Sequence, residues 1–124
     1  YAKSQLFSFQ KKNEAAIETL ENIIQNYKGS LIEDDALKFQ AELFTAENKF
    51  DLAEQNYLKI ENFYPDSILI DRVLYQLAEL YLNDLKDQDK ARIYFEKIIF
   101  NHPSSIYLVD ARKQYRKLRG DILN

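Results

Sequence analysis

The sequence predicts an all-α fold, an α–α superhelix of about three stacked helical hairpins closed by a C-terminal capping helix. Three observations carry this expectation. "AELY" at 78–81 stands 37 residues after "AELF" at 41–44, which stands 37 after "SQLF" at 4–7. A fixed period of this length marks a repeated supersecondary unit. The chain holds only 2 Gly and 2 Pro in 124 residues, too few turn formers for a protein of many short strands. Within each copy the apolar residues recur at helical spacing, as in Leu74, Leu77, Ala78 and Tyr81.

The register places seven helices, at roughly 1–11, 13–28, 32–47, 50–63, 68–84, 87–101 and 105–119. Ala78 aligns with Ala41 and Ser4, and Tyr81 with Phe44 and Phe7. In the second helix of each unit Ala16, Ala53 and Ala91 align, then Leu20, Tyr57 and Phe95, then Ile23, Ile60 and Ile98. One extra residue in the connector "NDLKDQDK" is the only adjustment. Pro65 and Pro103 end the second helices. Asp66, Ser67, Ser104 and Ser105 supply side-chain oxygens for the N–H groups of the helices that follow. The first helix starts partway through its pattern, so its hairpin should be the weak end, with Leu6 and Phe7 inward and Phe9 exposed. The last helix carries Arg116 where Ala41 and Ala78 stand, which would obstruct a further partner, and Gly120 suits its stop. This chain is thus expected to be one domain, 1–124, forming the C-terminal part of a longer protein.

On these residues the chain resembles the tetratricopeptide repeat family. The small residue three before an aromatic, then A-x3-F, then Pro, is present as Ala41/Phe44, Ala53/Tyr57, Pro65 and as Ala78/Tyr81, Ala91/Phe95, Pro103. The unit departs from the family in length, 37–38 residues with a longer turn after Pro, seen in "YPDSILID" and "HPSSIYLVD". That longer turn is similar to bacterial cell-envelope members, which implies a periplasmic or outer-membrane-associated location rather than a cytoplasmic one.

Composition narrows the chemistry. There is no Cys, and His102 is the only His, so thiolate zinc sites and cysteine nucleophiles are excluded and a catalytic or metal His lacks helpers. With glycines only at 29 and 120, a Gly-rich phosphate loop is excluded. Glu42 and Glu79 occupy equivalent exposed letters of the repeat and read as solvated rather than as an acid–base pair. No catalytic residue, metal or cofactor is expected, and the chain is read as not an enzyme and without a small-molecule substrate.

What remains is binding. The resemblance implies a non-catalytic protein–protein interaction scaffold whose concave face is lined by first-helix positions off the buried stripe. Mapped here these are Lys38, Phe39 and Glu42, then Arg72, Tyr75, Gln76 and Glu79. Two aromatics beside carboxylates suit an extended or helical protein segment with apolar anchors and some Lys or Arg, and Glu42 and Glu79 disfavour a terminal carboxylate. The alternative for Phe39 and Tyr75 is packing against neighbouring helix ends. A second reading is a structural module that self-associates through its N-terminal hairpin. A third rests on charge. Residues 111–119, "ARKQYRKLR", hold five cations, leaving 12 basic against 20 acidic side chains elsewhere, about −8. Arg112, Lys113, Arg116 and Lys117 could meet an anionic membrane surface, whereas a capping helix also needs a polar face for its own sake. Aromatic interleaving is slight, so nucleic acid is disfavoured.

Overall fold

The computed structural model describes residues 2–29 and 32–120, with the side chains of 2–10 outside the description. Among the described residues the chain is all helical: α1 Ala2–Asn26, α2 Glu33–Ala46, α3 Phe50–Phe63, α4 Ile70–Glu79, α5 Gln88–Asn101 and α6 Leu108–Arg119. It forms two compact units, residues 1–62 and 63–124.

The first unit corrects one expectation. The helices placed at 1–11 and 13–28 are a single 25-residue helix, α1. The two later hairpins turn on a left-handed residue five positions before the buried alanine, Asn48 (φ 60°) before Ala53 and Lys86 (φ 55°) before Ala91. The corresponding residue before Ala16 is Lys11, and it stays helical. Left-handed backbone costs a non-glycine residue about 1–2 kcal/mol; Asn48 and Lys86 bear that cost in connectors without Gly or Pro, and Lys11 does not. Continuing the helix keeps each i→i−4 hydrogen bond instead. The inward placement expected of Leu6 and Phe7, and the exposure expected of Phe9, concern side chains outside the described residues.

The C-terminal half of α1 runs antiparallel to α2. Asn13 Nδ2 donates to Glu47 Oε1 (2.7 Å) at one end, and Gln40 Nε2 donates to the Ile17 carbonyl (3.1 Å) further along. α3 returns along α2, tied by Asn56 Nδ2 to the Leu37 carbonyl (3.2 Å). Ala41, Ala53 and Ile60 have no exposed surface, and Leu37 and Tyr57 are buried beside them. These are the repeat letters of the sequence.

In the second unit α4 packs on α5 and α5 on α6. The same letters are buried again: Leu74, Ala78, Tyr81, Ala91, Phe95 and Ile98. Within the helix expected over 68–84, the backbone after Glu79 widens into a π-helical turn, Leu80–Asp84. The Leu85 N–H reaches the Leu80 carbonyl (2.9 Å), and Asp87 reaches Tyr81 (2.7 Å). In the first unit the equivalent closing bond runs from Lys49 to Phe44 (2.8 Å), one residue fewer. The π turn therefore absorbs the extra residue of the "NDLKDQDK" connector, which is what such turns do within helices.

The helix starts also shift. α4 and α6 begin at Ile70 and Leu108, not at 68 and 105, and neither Leu69 nor Tyr107 caps through its side chain. Ser67 and Ser105 act one turn earlier, their Oγ atoms accepting from the N–H groups of Leu69 and Tyr107 (both 3.1 Å). Their short reach suits the turn two residues on better than a helix three or more residues away. Gly120, at φ 88°, closes α6 in the left-handed conformation expected of it.

Candidate functional site

On α2 three of the expected residues meet. The Lys38 ammonium lies 3.1 Å from Glu42 Oε1, one helical turn on, and 4.5 Å from the centroid of the Phe39 ring. Lys38 is only 5% exposed, whereas Phe39 is 55% exposed. Lys38 is therefore not a free cation offered to a ligand. It spends its charge on a neighbouring carboxylate and on the ring face, and the ring is what the surface presents.

Behind this surface lies a buried polar network that hydrophobic patterning missed. Gln40 is 1% exposed and Asn56 is 5% exposed. Gln40 Nε2 donates to the Ile17 carbonyl and to Glu21 Oε2 (3.1 and 3.0 Å), and its Oε1 accepts from Asn56 Nδ2 at 2.7 Å. Both N–H bonds of each amide are thus used, which is the condition for burying them cheaply. Hydrogen bonds from Gln25 and Gln40 hold the Glu21 carboxyl below its ordinary value. Gln40 joins α1, α2 and α3, so it fixes α2 and with it the placement of Phe39.

On α4 the expected residues separate. Arg72 is exposed and Gln76 is half-buried. Tyr75 is largely spent inside its own unit. Its ring stacks on Tyr107 (centroids 4.6 Å, 20°) and meets Phe95 edge-on (6.0 Å, 70°), and its hydroxyl donates to Asp110 Oδ2. Burial, then the bond to Asp110, then the Glu79 charge push the phenol well above its ordinary range. Glu79 sits one turn further along. Its carboxyl is raised by partial desolvation and by the charges of Asp110 and Asp84, although much of the side chain is exposed.

α6 keeps Ala111 fully buried while Arg112, Lys113, Arg116 and Lys117 are all exposed. At its C-terminal end Gln114, Lys117 and Leu118 face Leu82 and Asn83 of the π turn and Gln88 of α5, around an open cleft of about 430 Å³. No side chain lining this cleft is acidic. Among the described residues there is no group of three or more His, Cys, Asp or Glu placed to hold a metal ion. None of the helices described is long and apolar enough to cross a membrane.

The family model described as Tetratricopeptide repeat matches residues 1–30 and 72–105, together more than half of the chain. The second match spans α4, the π turn and α5. The first falls on α1, where repeat letters are carried by one uninterrupted helix. No curated relative matches the sequence.

Proposed function

The chain belongs to the tetratricopeptide repeat family, whose repeats generally mediate protein–protein interaction, and from this premise we propose that it is a non-catalytic scaffold that holds a protein segment on α2 with Phe39 as the apolar anchor. The observation that carries this is the state of Phe39. An aromatic ring 55% exposed, on a helix otherwise buried along one face, contributes little to its own fold and has contact area to give. Lys38 and Glu42 flank it as a closed pair, so the rim is polar but nearly neutral. That rim suits a partner whose anchor is apolar, with hydrogen-bonding groups beside it. Tyr75, expected as a second anchor, has its ring and hydroxyl engaged with Phe95, Tyr107 and Asp110, so the reading rests on Phe39 alone.

The test is site-specific crosslinking. A photo-crosslinking phenylalanine analogue at position 39 should give discrete adducts in cells producing the chain, and the same analogue at Leu52, 41% exposed on α3, should not. Phe39→Ala should leave the melting curve within about 0.5 kcal/mol of the parent, as for a surface position. Adducts no stronger at 39 than at 52 would remove the proposal. So would a stability loss of about 3 kcal/mol, because it would make Phe39 a core residue.

A further inference from the structure

One end of the second unit gathers helix ends and exposed apolar side chains. α4 begins there, α5 finishes there and α6 begins there, and Ser105 Oγ donates to Asp71 Oδ2 (2.7 Å), tying the α5–α6 turn to the first turn of α4. Four large apolar side chains stand out at this end: Ile68 (95% exposed), Phe100 (70%), Ile106 (87%) and Val109 (77%). Isolated exposed aliphatics are ordinary, but four on adjoining helix ends are not. From Val109 the outer face of α6 continues as Arg112, Lys113 and Arg116, at i+3, i+4 and i+7. The carboxylates nearby are mostly turned to internal use: Asp71 accepts from Ser105 and Asp110 from Tyr75, leaving Asp66 as the exposed acid in the preceding turn.

We propose that this end docks on a bilayer carrying anionic lipid, with Ile106 and Val109 entering the boundary between headgroups and acyl chains and Arg112, Lys113 and Arg116 against lipid phosphates. Protruding apolar side chains next to a row of cations form the pattern of an interfacial helix. A protein partner would need pockets matched to four projecting side chains, whereas lipid deforms around them. Nucleic acid would meet the cations but gain nothing from Ile106 and Val109, which cannot stack on bases. The proposal is independent of Phe39, which lies in the other unit.

Co-sedimentation of the 124-residue chain with vesicles tests it. Vesicles with one phosphatidylglycerol to three phosphatidylcholine should pellet the chain, and pure phosphatidylcholine should not. Ile106→Ser with Val109→Ser should weaken partitioning about tenfold or more, since two aliphatic side chains lose their burial. Arg112→Glu with Arg116→Glu should abolish it, because basic residues near an anionic leaflet contribute strongly and reversal doubles the loss. All four positions are exposed, so the variants should melt like the parent. Failure of the unaltered chain to bind anionic vesicles would overturn the proposal, as would binding indifferent to the two serines, which would mean adsorption by charge alone. A third overturning result is concentration-dependent self-association, lost in the serine variant, without vesicle binding, which would assign the apolar end to a second copy.

Discussion

The two units bury the same register positions with different chemistry. Gln40 in the first unit corresponds to Leu77 in the second, and Asn56 to Tyr94. All four are at least nine-tenths buried. The first unit fills the site with a satisfied amide pair tied to Glu21, and the second with an aliphatic and an aromatic side chain. The difference continues two residues earlier. Lys38, which pairs with Glu42, corresponds to Tyr75, which stands beside Glu79 without a cation. Repeat packing therefore demands volume and closure at these positions, not a particular polarity. The polar version adds direction: amides that must find specific partners fix α1, α2 and α3 in one alignment. An apolar pair could tolerate a slip that would leave amides unsatisfied.

Removing volume should have the largest effect. Phe95, with no exposed surface, also supports the Tyr75 ring from below. Phe95→Ala should cost about 3–5 kcal/mol, read as a fall in the denaturation midpoint. Near-UV circular dichroism should fall too as the Tyr75–Tyr107 stack loosens. A loss under about 1 kcal/mol would mean that the second unit's core does not depend on the residue its repeat letter predicts.

Breaking the amide pair comes next. Gln40→Leu removes one partner each from Glu21 and Asn56, which keep Gln25 and the Leu37 carbonyl, and should cost about 1–3 kcal/mol. Changing both positions to the second unit's residues, Gln40→Leu with Asn56→Tyr, should recover part of that loss, because a buried amide is then no longer left half-paired. If the double change is worse than the sum of the singles, the polar and apolar fillings are not interchangeable and the comparison fails.

These contrasts also show what the sequence could disclose. The buried Ala, Leu and aromatic letters were legible because period and helical spacing report average burial, and packing obeyed them at Ala41, Ala53, Ala78 and Ala91. Gln40 and Asn56 were not, since a polar letter reads as exposed until its tertiary partners are known. The extra residue before Ala91 was visible as an insertion, but whether it lengthens a loop or widens a helix depends on which carbonyls the turn must satisfy. The expected break near Lys11 did not form, although its segment is as free of Gly and Pro as the connectors that do turn at Asn48 and Lys86, so residue type alone does not decide it. Among the expected groove residues, Phe39 stood out in the sequence by being off the stripe, and its ring is exposed. Tyr75 was off it too, and only Tyr107, Asp110 and Phe95, brought from α5 and the chain around α6, show that it is engaged.

A smaller effect should follow from Tyr75→Phe. It keeps both ring contacts and removes the hydroxyl that Asp110 accepts. Asp110 is half-buried and can recover water, so the cost should be about 1 kcal/mol rather than that of a stranded charge. The measurement is a urea midpoint, compared with Phe39→Ala. Equal, negligible losses for both would place Tyr75 with Phe39 among the available surface aromatics and restore it as a possible anchor.

The smallest expected effect is the sharpest in sign. Glu21 and Glu79 start from the same ordinary value and are displaced in opposite directions. Glu21 is held down by hydrogen bonds from Gln25 and Gln40. Glu79 is pushed up by desolvation and by Asp110 and Asp84. A lowered carboxyl contributes stability above its unfolded pKa, and that contribution is lost as pH falls through the folded value. A raised carboxyl does the reverse: its folded state is penalised at neutral pH, and the penalty lifts as pH falls through the raised value toward the unfolded one. Acidification from neutrality should thus first relieve the second unit and only later, below the ordinary glutamate range, weaken the first. Carboxyl chemical shifts followed by NMR should show the Glu79 midpoint above that range and the Glu21 midpoint below it. At pH 7, Glu79→Gln should raise the melting temperature slightly and Glu21→Gln should lower it, both modestly because the side chains are exposed. Gln40→Leu should bring the Glu21 midpoint back toward the ordinary value while leaving Glu79 unmoved. If Glu21 titrates normally in the unaltered chain, the network ends at Gln40 and α1 is held by packing, the Ile17 carbonyl and the Asn13–Glu47 hydrogen bond.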